Sequence, residues 1–199
     1  MPRFTRAELE SFRGADVPDL VGPGVRLVFV GINPGLRTAA TKIHFGNPAN
    51  RFRPALVAAG LLDPPVDGSP GMTEADLGTL LARGVGITNL VPFATARADE
   101  LTRGQLLAGR DRLERFVVTN RPRVVAVLGV TAYRTAFGRP RAVPGRQPEP
   151  IDSAELWVVP NPSGLNAHES VASLAAAYAE PARAAGIELR LRRDRGAGA

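Results

Sequence analysis

Two short Asn-Pro turns, each closing an apolar run, constrain this chain more than any other feature. The first is Gly31-Ile32-Asn33-Pro34-Gly35, which follows Val25-Arg26-Leu27-Val28-Phe29-Val30. The second is Asn161-Pro162-Ser163-Gly164-Leu165, which follows Leu156-Trp157-Val158-Val159-Pro160. Proline fixes φ and gives up its N–H, while glycine reaches conformations closed to other residues. Such a turn presents side chains and backbone amides at a strand end, where open α/β sheets gather their ligands. Two of them, far apart in the chain, can frame one cleft.

The rest of the chain alternates in the same way. Val124–Leu128 is an unbroken apolar run, the mark of a strand buried on both faces. Strands are expected over residues 25–31, 86–91, 124–128 and 156–159, with an edge strand at 187–192. Helices are expected from Thr5, whose capping box with Glu8 opens a short helix to about Arg13, and over 51–59, 73–82, 102–120, around Tyr133 to Phe137, and over 170–185. Asn50 is the expected N-cap of the second helix, and Pro122 stops the fourth. Residues 62–72, 92–100 and 139–150 read as loops, the last holding four prolines, and 193–199 as a frayed tail. Strands alternating with helices predict a single-domain, three-layer α/β/α sandwich with a mostly parallel sheet. A chain of 199 residues is long enough to bury about 70% of its unfolded surface.

Composition narrows the chemistry. With no cysteine there is no disulfide, thiol nucleophile, cysteine-ligated zinc or iron–sulfur cluster. His44 and His168 are the only histidines and no HExxH spacing exists, so neither a metal nor a cofactor is expected. The net charge of +6 comes almost wholly from arginine, Lys42 being the only lysine. Arginine suits bidentate phosphate recognition, although the richness in Arg, Ala, Gly and Pro is also what a GC-rich genome produces. Neither a leader nor an apolar run of about 18 residues is visible, so the reading is a cytoplasmic protein without a membrane partner.

The first turn continues into Phe45-Gly46-Asn47-Pro48-Ala49-Asn50-Arg51-Phe52. Together with Val28 to Leu36 and Asn161-Pro162-Ser163-Gly164-Leu165, this closely resembles the mismatch-specific uracil-DNA glycosylase and thymine-DNA glycosylase family. The resemblance runs from about Pro18 to 190, leaving the N-terminal helix and the tail peripheral. It implies the same α/β/α fold and an enzyme that acts as a monomer on double-stranded DNA with G:U or related mismatches. Such an enzyme hydrolyses the N-glycosidic bond of a flipped base and leaves an abasic site, because the bond is out of reach inside the stack.

The resemblance also distributes roles. Asn33 is the catalytic candidate: related enzymes carry Asp there, whereas an amide cannot take a proton and can only orient a water. An oxocarbenium-like transition state lets so weak a nucleophile suffice. The plainer reading of Asn33 is a residue that shapes its turn. Gly35 stands where strict uracil enzymes carry a tyrosine that excludes the 5-methyl of thymine, so thymine or ethenocytosine is expected to enter; a glycine needed only for positive φ is the alternative. Phe45 is expected to stack on the flipped base, or else to be an ordinary core residue. Backbone groups of Ile32 and Leu36 are expected at the base edge, with Thr38, Asn161 and Ser163 around it. Asn50 and Arg51 read as a cap and a surface charge. Leu165 is the expected wedge that refills the stack, with Gly164 and Asn166 at the orphaned guanine.

Departures from the family pattern stand out. Asn166-Ala167-His168 replaces the usual Ser-Arg, so His168 is expected either to rebuild the lost grip or to begin the last helix from the surface. Asn89 stands where some relatives carry lysine, which removes one candidate phosphate or water contact. Asp99 and Glu100 follow the second strand; Asp99 is a second catalytic candidate, the alternative being that both acids sit in the first turn of the helix near Thr102. A non-catalytic lesion reader and a nucleotide-binding protein are the rival functions; neither GxxxxGK[ST] nor GxGxxG is present to support the latter.

Overall fold

Alternation along the strands decides the layers. In β1 (Leu27–Gly31) Leu27 and Phe29 point to one face, and Val28 and Val30 to the other. All five residues of β1, β2 (Val85–Asn89) and β3 (Val124–Leu128) are buried, as strands covered on both sides must be. The structure, a computed structural model, describes residues 4–65, 71–164 and 169–190. Its five strands run in the order β2-β1-β3-β5-β4, with β5 at Glu155–Val159 and β4 at Gly145–Arg146. Every pairing is parallel except that of β4 with β5.

Seven α-helices are found among the described residues: α1 (Arg6–Glu10), α2 (Leu36–Thr41), α3 (Phe52–Ala58), α4 (Glu74–Ala82), α5 (Arg103–Asn120), α6 (Val130–Phe137) and α7 (Val171–Ala184). Helices α3, α4 and α7 cover the Leu27/Phe29 face, and α5 and α6 the Val28/Val30 face. This is the expected three-layer α/β/α sandwich. A buried ion pair, Arg53 to Asp76 at 2.7 Å, ties α3 to α4, and Thr73 caps α4 while donating to the same carboxylate. No helix is long and apolar enough to cross a membrane among the described residues.

The sheet register sets Asn89, Gly31, Leu128 and Val159 side by side at the carboxyl edge. The chain passes from β1 to β2 on one side and reaches β3 on the other, so this edge contains a topological switch point.

Four expectations are corrected. Residues 139–150 are not all loop, because Gly145 and Arg146 pair with Val158 and Trp157. Residues 187–190 form no strand; Ile187 is buried against α7's face of the core and the Arg190 N–H donates to the Gly60 carbonyl. The cap of α3 is Arg51 rather than Asn50, although the Asn50 Oδ1 still accepts from the Phe52 N–H at 2.8 Å. Thr102 is the N-cap of α5, so Asp99 and Glu100 are not in that helix but in a separate 3-10 turn, Ala98–Glu100.

Candidate active site

A cleft of about 200 Å³ opens at this carboxyl edge, between the two Asn-Pro turns. Gly31 to Gly35 form its floor, Thr38, His44 and Phe45 one wall, and Thr95 to Ala98 another, while Asn161 and Ser163 close it from the second turn. The two motifs that are far apart in sequence thus meet in one site.

Asn33 is held by its nitrogen. Nδ2 donates to the Thr95 hydroxyl at 2.7 Å and to the carbonyls of Pro34 and Phe93 at 3.1 and 3.3 Å. Two carbonyls in that set require a donor, which fixes the orientation of the amide. The Thr95 hydroxyl spends its own proton on the Arg97 carbonyl at 2.7 Å, so it is an acceptor toward Asn33. Oδ1 of Asn33 meets no donor among the described residues, and it is the amide atom left for a ligand in the cleft.

Gly31 explains how Asn89 reaches the same cleft. A Cβ on Gly31 would collide with Oδ1 of Asn89 and lie 3.4 Å from the Phe45 ring. Only glycine lets Asn89 lean across the strand end. Asn89 is 4% exposed, lines the cleft, and its side-chain amide has no hydrogen-bond partner in the protein among the described residues. Its amide atoms are open to the cleft, so they are available to a ligand that enters it.

Phe45 adopts the left-handed conformation, φ 54°, which is uncommon for a bulky residue. Its ring lies on Phe52, centroids 4.1 Å apart and planes inclined by 32°. Phe52 meets Phe29 edge-on and packs against Tyr178. The stack holds Phe45 half-buried, with part of its surface lining the cleft. Tyr178 also donates to the Pro160 carbonyl at 2.9 Å, anchoring the entrance of the second turn, and burial pushes its hydroxyl pKa well up.

His44 is buried, with Nε2 3.0 Å from the Pro18 carbonyl. A carbonyl only accepts, so Nε2 carries the proton and Nδ1 is an acceptor. Burial lowers the His44 pKa, more than the Pro18 carbonyl and the Asp19 charge raise it, so the ring is neutral. Arg97 apart, the side chains that line the cleft around Asn33 carry no charge.

Gly35 has φ −79° and ψ 161°, values any residue adopts, so the reading that glycine is required there for positive φ is wrong. A Cβ added at Gly35 would meet nothing within 4 Å. The open space is real. Thr38 and Ile32 line the cleft, while the Leu36 side chain is buried in a small cluster with Val17, Ala39 and Ala94.

Asp99 stands apart. It borders an adjoining depression, with Arg97, Asn47, Arg51 and Gly164, and forms an exposed ion pair with Arg97. Glu100 pairs with Arg13 and accepts from the Arg97 N–H at 2.9 Å. Arg51 is no simple surface charge. Its N–H donates to the Pro162 carbonyl at 2.9 Å, and its guanidinium donates to the Ser163 carbonyl at 2.7 Å and to the Glu169 carbonyl. Gly164 leaves no room for a side chain, since a Cβ there would lie 2.7 Å from the Ala49 carbonyl oxygen. Leu165, Asn166 and His168 lie outside the described residues.

Sequence reasoning missed Thr95, His44 and the part played by Asn89. Thr95 belongs to no motif, and the only available hint was its place after a strand at the carboxyl edge. No group of three or more potential metal-ligating side chains occurs among the described residues.

Two comparisons bear on these observations. The family model of the uracil DNA glycosylase superfamily matches residues 18–182. The fold is similar to the solution NMR structure of a Methanosarcina acetivorans protein proposed to be a uracil DNA glycosylase, with a TM-score of 0.52 at 18% identity, over 85% of this chain and 97% of that one.

Proposed function

Because the chain belongs to the uracil DNA glycosylase superfamily, we propose that it excises uracil opposite guanine from duplex DNA and leaves an abasic site. The observation that carries this reading is the Asn33 amide, whose nitrogen is committed to Thr95, Pro34 and Phe93 and whose oxygen is left for a ligand. That oxygen accepts a hydrogen bond from the attacking water and so aims the water's lone pair at the anomeric carbon. An amide does not deprotonate the water, so bond breaking runs ahead of attack, through an oxocarbenium-like state. The leaving base is therefore what the site must stabilise.

Phe45 and Asn89 supply that stabilisation. Stacking on an aromatic ring is worth roughly 1–3 kcal/mol per base and tolerates different bases. The Asn89 amide matches a uracil edge, Oδ1 accepting from N3–H and Nδ2 donating to O4, which satisfies a side chain that lacks protein partners. Charge that develops on the departing ring then meets a fixed dipole. The space beside Gly35 admits a 5-methyl group, which favours thymine and larger adducts as further substrates. Leu165 remains the proposed wedge, with Asn166 and His168 beside the orphaned guanine, and Gly164 sets the close approach of that turn to Ala49. Asp99 is left outside this mechanism, since it borders the adjoining depression and pairs with Arg97.

The test is a strand-cleavage assay on end-labelled duplexes with U opposite G, U opposite A, or T opposite G, each with and without hot alkali. Product seen only after alkali, strongest for U opposite G and lost in Asn33→Ala, is the expected result. Tight binding of lesion duplexes without cleavage would replace the enzyme by a lesion reader.

A further inference from the structure

Residues before Pro18 fall outside the family match, yet they are built into the wall that holds Asn33. The chain from Gly14 to Leu20 runs antiparallel to β2 and to the segment that leaves it, Leu20 pairing with Ile87. Gly14 N–H donates to the Ala94 carbonyl at 2.8 Å, Ala94 N–H to the Ala15 carbonyl at 3.0 Å, and Val17 N–H to the Pro92 carbonyl at 3.1 Å. Asp16 and Phe93 form an antiparallel bridge. At the far end of the same loop Arg13 forms an ion pair with Glu100, whose Oε1 accepts from the Arg97 N–H at 2.9 Å.

The stretch pinned between these two attachments, residues 93–97, contains two of the three acceptors on the Asn33 nitrogen: the Phe93 carbonyl and the Thr95 hydroxyl. It meets the first turn through the Thr95 N–H, 3.2 Å from the Pro34 carbonyl, through a parallel bridge of Thr95 with Gly35, through Ala94 packed with Leu36, and through Asn33 itself. Loosening this loop would weaken two of the three bonds that fix which end of the amide faces the cleft.

We propose that the N-terminal segment, through Arg13 and Glu100 and the backbone ladder of Gly14 to Val17, is a positioning element for the Asn33 amide. It acts on catalysis by fixing the 93–97 loop and touches neither base nor DNA. The proposal rests on the role given to Asn33 above. It assigns Glu100 a positioning role and makes the N-terminal segment part of the working site.

The test uses the full-length protein with Glu100→Ala, Glu100→Gln, Arg13→Met, Arg13→Lys and Thr95→Val. Three quantities are read: the single-turnover excision rate at saturating enzyme, the Kd for a duplex bearing non-hydrolysable 2′-fluoro-deoxyuridine, and the hydrogen-exchange rate of the Asn33 side-chain amide by ¹⁵N NMR. An exposed ion pair sets the scale for Arg13→Met, a rate loss of about threefold to fivefold; Glu100→Ala, which also frees the Arg97 N–H, loses about tenfold. Arg13→Lys restores the rate to within about twofold, and Glu100→Gln lies between Glu100→Ala and wild type. The Kd stays unchanged, and exchange at Asn33 speeds up in step with the rate loss. In a Thr95→Val background Glu100→Ala costs little more, because the path it acts through is already cut. Unchanged rate and exchange in Glu100→Ala and Arg13→Met, or a full additional loss in the Thr95→Val background, would overturn the proposal. Were the wild type inactive on every duplex, the glycosylase reading would fall, while the exchange measurement would still decide whether the segment holds the amide.

Discussion

Replacing Asn89 by alanine should separate stability from function more cleanly than any other change in this protein. A buried asparagine normally holds hydrogen bonds, and its removal orphans a partner at a cost of about 1–3 kcal/mol. Here no protein partner exists to orphan, because the side-chain amide, 4% exposed, meets no donor or acceptor among the described residues. The space vacated is continuous with a cleft that water enters. Folding stability should therefore change by less than about 1 kcal/mol, below the average cost of a core substitution. Excision is different. The proposed base edge makes two hydrogen bonds with this amide, each worth about 0.5–1.5 kcal/mol net, and losing both lowers the single-turnover rate by about 10- to 100-fold. Urea titration and alkali-revealed cleavage of a U opposite G duplex measure the two quantities on one preparation. A loss of more than about 2 kcal/mol in unfolding free energy together with an unchanged excision rate would refute the argument. Asn89 would then be a structural residue.

Other outcomes follow from the same geometry. Gly35→Tyr suits the backbone angles and its Cβ meets nothing within 4 Å, so it should leave uracil excision largely intact while cutting activity on thymine by about 10- to 200-fold, read as the ratio of the two single-turnover rates. Arg53→Met leaves the Asp76 carboxylate buried without its cation and should cost about 3–5 kcal/mol in a urea titration, with the site unaffected at temperatures where the variant is folded. Burial raises the Asp76 pKa, but the bonds from Arg53 and Thr73 together lower it further, so the folded value lies below the unfolded one. The stability tied to this carboxylate is thus present above about pH 4 and lost as pH falls through the folded value, and Asp76→Asn should flatten the acid limb of the unfolding profile. Asp99→Ala removes only an exposed ion pair and should leave excision on every duplex within about twofold; a tenfold loss would return Asp99 to the catalytic set.

What was legible in the sequence was whatever a short run of residues decides alone. Unbroken apolar runs such as Val124–Leu128 identify doubly buried strands, and Thr73 with Asp76 announces the start of α4. Asn33, Thr38, Phe45, Asn161 and Ser163 were readable because each belongs to a compact turn or its continuation, and all five line the cleft. The rest depends on distant pairing. Thr95 matters only because a loop from β2 crosses the first turn, and Asn89 only because Gly31 opposite it lacks a side chain. Ile187 and Leu189 alternate like a strand but pack into the helical side of the core, where no strand edge is offered. Gly35 could be read two ways until its backbone angles were known.

Arg51 makes the two halves of the site heritable as one unit. Its guanidinium holds the carbonyls of Ser163 and Glu169, the two ends of the stretch 164–168, while its own N–H holds Pro162. A single side chain from the first motif thus measures the length of the second. Gly164, just past the first anchor, has no room for a side chain, and a deletion between the anchors would pull one carbonyl away from a fork of fixed width. Shortening this stretch should therefore break an Arg51 bond, and a graft of the second turn onto another scaffold should fail unless an arginine comes with it.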